Sequence, residues 1–114
     1  MKIFIALFIT FFSSGIFAQF SSETDVITYM DGKKFYNSMD GLTMEYGYIS
    51  EYNTYGIKLT NNYSAVFYMI NVEITPYESF AYLKGMLVSN GENLEFTLYK
   101  GKATSGGQDW ILKK

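Results

Sequence analysis

From Leu42 onward the chain alternates. Leu42, Met44, Tyr46 and Tyr48 fall to one side of an extended segment, with Thr43, Glu45 and Gly47 on the other. A period of two with one polar face is the mark of a half-buried strand. Val66 to Ile74 predicts a longer strand, with Val66, Tyr68, Ile70, Val72 and Ile74 inward and Phe67, Met69, Asn71 and Glu73 outward. Leu94 to Lys100 repeats the logic, with Leu94, Phe96 and Leu98 inside. Ile57 to Thr60 and Trp110 to Leu112 read as shorter strands.

The punctuation between these runs is turn chemistry. Asp31-Gly32 sits between Val26–Met30 and Lys33–Asn37, and an Asp-Gly pair between β-type runs predicts a tight hairpin. Met39-Asp40-Gly41, Tyr52 to Gly56 and Asn61-Asn62 mark further turns, and Gly101 to Gly107 reads as a mobile loop. One segment has two readings. Thr75-Pro76-Tyr77-Glu78 matches a helix start and Lys84-Gly85 a helix end, giving a short helix near 76–84. Phe80 to Val88 also reads as a strand paired through a turn with Leu94–Lys100, and this reading is preferred. The expected fold is all-β: a small antiparallel β-sandwich or filled β-barrel of seven or eight short strands, with α+β as the alternative. Strands this short leave little room for a large central cavity.

The start of the chain follows another pattern. Met1-Lys2 is basic, Ile3 to Phe12 is apolar apart from Thr10, and small residues lead to Ala18. That order predicts a secretory signal peptide over 1–18, cleaved after Ala18, with cleavage after Gly15 as the competitor. The apolar core is half the length of a membrane-spanning helix, so no stable span is expected after cleavage. The expected organisation is a leader followed by a single domain over 19–114, secreted or periplasmic.

Composition then removes chemistries. The chain has 0 Cys and 0 His, and its 9 basic residues are all Lys. This excludes His-based nucleophile systems, the usual zinc, haem and iron–sulfur ligand sets, and disulfide support. A net charge of −2 without Arg gives no pull towards nucleic acid. Asp31-Gly32, Asp40-Gly41 and Glu92-Asn93 are turn residues first, so no metal or cofactor is expected. Asn62-Tyr63-Ser64 matches the N-glycosylation triplet, a spacing that recurs by chance.

Carboxylates are the remaining acid–base groups. Glu45, Glu73 and Glu95 lie on polar strand faces, where solvation is the ordinary state, so no catalytic residue is assigned. The 11 Tyr carry more information. Tyr46, Tyr48 and Tyr68 are expected inside, while Tyr52, Tyr55, Tyr63 and Tyr77 fall in turns where core packing does not require them. In an up-and-down order, one end would gather Asp31-Gly32, Tyr52-Asn53-Thr54-Tyr55, Pro76-Tyr77-Glu78 and the loop leading to Trp110. Tyr with Asn, Ser and Gly is the composition of adaptable recognition surfaces. Outward Phe67 and Met69 add an apolar patch suited to a protein partner or to self-association. The expected function is a non-catalytic binding or assembly domain that engages an envelope or extracellular protein through Tyr52, Asn53, Tyr55, Tyr77, Trp110 and Phe67. The alternatives are a carbohydrate-binding module stacking sugars on the loop aromatics, and a small exported hydrolase working through carboxylates.

Overall fold

Short turns allow each strand to pair only with its neighbour, and the outcome is a closed eight-stranded antiparallel meander. The computed structural model describes residues 20–113. The leader expected over 1–18 lies outside the described residues. Helix α1 (Glu23–Met30) precedes β1 (Lys34–Asn37), β2 (Leu42–Ile49), β3 (Thr54–Asn61), β4 (Val66–Pro76), β5 (Ala81–Leu87), β6 (Asn93–Tyr99), β7 (Lys102–Ser105) and β8 (Gln108–Leu112). Strand β8 returns to β1 through Phe35↔Leu112 and Tyr36↔Ile111, which closes the barrel. The segment 76–84 is turn and strand, so the α+β alternative at that position is excluded.

The helix stands where sequence alternation predicts a strand. Val26, Ile27, Thr28 and Tyr29 have β preference, but the chain around them is built to start and stop a helix. Ser22 caps it, its Oγ accepting the Asp25 N–H at 3.1 Å, while the Ser21 N–H donates back to the Asp25 carboxylate at 3.1 Å. Glu23 and Asp25 place negative charge in the first turn. Asp31-Gly32 forms the helix exit, not a hairpin, with Gly32 at φ 75°. Val26 and Met30, four apart, share one face and are fully buried.

That face plugs one end of the barrel. Phe20, Val26 and Met30 join the inward side chains Phe35, Met44, Ile57, Met69, Leu83, Phe96 and Leu98 in one core. Ala81 and Ala103 supply the small positions between the larger side chains. The Gly101 N–H donates to the Tyr29 hydroxyl at 2.6 Å, tying the helix to the β6–β7 turn. The turns at 50–53, 77–80 and 100–101 share this helix end by the up-and-down order. Those at 38–41, 62–65, 88–92 and 106–107 surround the opposite, open end.

Two further expectations are corrected. Gly101–Gly107 is not a loop: β7 lies within it between two glycine turns, with Ala103 fully buried. On β4 the inward and outward sets change over partway along. Met69 is fully buried whereas Val66 is 42% exposed. Pairing runs Met69↔Leu87 and Ile70↔Met86, then resumes at Glu73↔Lys84, so Asn71 and Val72 oppose Gly85 alone. This bulge, with Asn71 at φ 54°, shifts the alternation by one residue. Phe67 and Met69 face inward before it and Val72 and Ile74 after it. Phe67 therefore lies at the inner margin of the open end, not on an outer sheet face.

Candidate functional site

The β2–β3 hairpin projects at the helix end and carries the densest group of exposed aromatics. Its register pairs Tyr46↔Ile57, Gly47↔Gly56 and Tyr48↔Tyr55. Ile57 is buried, but one step further towards the hairpin tip the same phase emerges from the barrel. Tyr48 is 54% exposed there and Tyr55 59%. Tyr48 is therefore not the core residue that alternation predicts, and Tyr55 belongs to strand β3, not to the turn. The Tyr46 and Tyr55 rings stack at 6.1 Å and 15°, and Tyr48 meets Tyr55 edge-on at 5.4 Å. Burial pushes the Tyr46 hydroxyl pKa up, with smaller contributions from Glu23 and Tyr55.

The turn is pinned by its own side chains. Asn53 adopts φ 54°, and its carboxamide oxygen accepts a hydrogen bond from the Tyr48 hydroxyl. Asn has the short polar side chain that tolerates this left-handed backbone. On the outer side, the Tyr68 hydroxyl donates to Glu51 Oε2 at 2.8 Å, and the Tyr52 ring meets Tyr68 edge-on at 5.6 Å. The hydrogen bond to Glu51 raises the Tyr68 pKa. Glu51 is held below the usual carboxylate range by its own backbone N–H and then by Tyr68. Tyr68, expected inside, is outward because it precedes the bulge.

Gly47 has no neighbour within 4 Å of where a Cβ would stand. The bare backbone leaves a groove of about 320 Å³ whose lining includes Glu45, Tyr46, Tyr48, Glu51, Lys58 and Tyr68. Lys58 and Glu45 approach to 3.9 Å across one wall. The groove combines phenol rings, two carboxylates and an ammonium.

Of the residues singled out from sequence, Tyr52, Asn53 and Tyr55 come together on this hairpin. Tyr77 is exposed at the same end in a separate group, 4.9 Å from the Phe80 ring, which lies 6.1 Å from Tyr99. Phe67 is at the open end. Trp110 is inside the barrel, 5% exposed and edge-on to Phe96 at 5.2 Å, and the turn leading to it is at the open end. The expected gathering at one end is thus corrected for the loop leading to Trp110. Alternation conceals Tyr48, because it does not reveal where a strand outruns its barrel, and Tyr68, because it does not reveal the bulge in β4. The Gly47↔Gly56 pair is the available signal.

Among carboxylates, Glu73 pairs with Lys84 and Lys84 with Glu95, forming a cross-strand row on the outside of the sheet. Among the described residues no group of three acidic side chains is placed to hold a metal ion, and no helix is long and apolar enough to cross a membrane. No family model, curated protein or solved structure matches the chain.

Proposed function

We propose that this chain is an exported, non-catalytic binding module that engages an extracellular or envelope protein through the tip of the β2–β3 hairpin. The observation that carries the reading is the packing of exposed Tyr48 and Tyr55 on each other and on half-buried Tyr46, with Tyr48 anchored on Asn53. Aromatic side chains already fixed by one another lose little freedom on binding and offer large amphipathic area. Asn53, Ser50 and Glu51 supply hydrogen-bonding groups around them. Export rests on the basic–apolar–small order of the leader.

The test is capture of partners from the exported fraction with the intact mature chain, compared with a Tyr48→Ala/Tyr55→Ala variant of unchanged thermal melting. A partner bound by the natural protein and weakened about tenfold or more in the variant fits loss of an interface anchor. Equal capture by both proteins, or none by either, overturns the reading. A second reading, glycan binding, is favoured by the groove where Tyr68 stands beside Glu45, Glu51 and Lys58. It predicts glycan retention that is lost in Tyr68→Ala and kept in Tyr55→Ala, a residue outside the groove lining.

A further inference from the structure

The open end of the barrel holds a second, chemically different concavity. Leu42, Leu59, Phe67, Leu87, Leu94 and Trp110 wall a cup of about 430 Å³ whose polar margin includes Asp40, Ser89, Ser105 and Gln108. No Lys lines it, and Asp40 is its one charged residue. The cup exists because the helix plugs only the other end. The volume falls in the range of small-molecule sites, where apolar walls supply burial and a few polar groups fix orientation.

Two lining residues, Trp110 and Gln108, favour an acceptor. The indole N–H of Trp110 is buried without a hydrogen-bond partner, the one such side-chain atom among the described residues. A buried donor left unpaired is costly, and a small turn of the indole that brings its N–H to the cup surface would let a ligand oxygen satisfy it. Gln108 gives its Oε1 to the Asn37 side-chain amide at 2.7 Å, so its own NH2 remains to donate. Asn37 is fully buried and its oxygen accepts the Met39 and Asp40 N–H groups, which holds this arrangement in place. Asp40, without a lining cation, disfavours an anion. We propose that the cup binds a neutral apolar molecule bearing a carbonyl oxygen, which accepts from Trp110 and Gln108. The site is independent of the hairpin and of any partner there.

The test uses 6-propionyl-2-(dimethylamino)naphthalene, a neutral ketone whose emission reports polarity, and its 6-propyl analogue, which lacks the oxygen. The intact mature protein is expected to bind the ketone saturably at one site with blue-shifted emission. The propyl analogue should compete about tenfold more weakly, the scale of one buried hydrogen bond. Trp110→Phe should reduce that preference, Leu94→Arg should abolish binding, and Tyr55→Ala on the hairpin should leave it unchanged. If Trp110→Phe does not fold, the ketone-to-propyl ratio in the natural protein decides alone. Absence of saturable binding, equal affinity for the two probes, or binding unaffected by Leu94→Arg overturns the proposal. So does concentration-dependent dimerisation that the ketone fails to reverse, which would make a second copy the occupant.

Discussion

A Cβ built on Gly56 would lie 2.3 Å from the Met69 carbonyl oxygen, and one on Gly85 2.9 Å from that of Ile70. Both contacts are with backbone atoms, which do not rotate out of the way. Glycine at these two positions lets neighbouring strands approach across β4. Gly56→Ala is expected to destabilise the fold by about 1–3 kcal/mol, the usual cost of overpacking a filled interior. Urea unfolding checks it, and an unchanged midpoint would show that β3 and β4 separate freely. In the sequence Gly56 reads as the end of a turn, because glycine punctuates turns more often than it marks close approach. Asn71 is similar: nothing in Ile70-Asn71-Val72 announces that two residues will oppose one glycine. The whole inward–outward assignment of early β4, and with it the positions of Phe67 and Tyr68, turns on that single left-handed residue.

At the scale of elements, β2, β6 and β8 were legible because alternation and turn signals agree there. Helix α1 was not, since its residues prefer strands and only its caps and the four-residue spacing of Val26 and Met30 oppose them. Those caps carry a pH consequence. Asp25 is held below the ordinary carboxylate range by the Ser21 hydroxyl and then by the Ser21 backbone N–H. Folding thus favours the ionised form. The stability this contributes is present above the unfolded value of about 4 and fades as pH falls through the lower folded value. Asp25→Asn should accordingly flatten the acid limb of a stability-against-pH curve below about pH 4, with helix content followed by circular dichroism. An acid limb unchanged by the substitution would remove Asp25 as its source.

On the scale of the whole molecule, the meander follows from turn after turn too short for crossovers, and so was legible. Closure was not fixed by pattern: a sandwich and a barrel place the same alternating residues inside. What decides is that β8 meets β1, and this ring is fastened unevenly. β2 and β3 share eight paired positions, whereas β1 and β8 share two, supplemented by a Lys113 N–H to the Lys34 carbonyl at 2.8 Å. Native-state hydrogen exchange is expected to release β1 and β8 amides before those of β2 and β3, and uniform protection would contradict this. The same fastening bears on durability. A ring presents no raw strand edge until it parts, and parting at β1/β8 frees two, one of them carrying exposed Ile111. The lifetime of a stored or heated sample is therefore governed by how often this seam opens, a rate, and can shorten with no change in the equilibrium strength of the core.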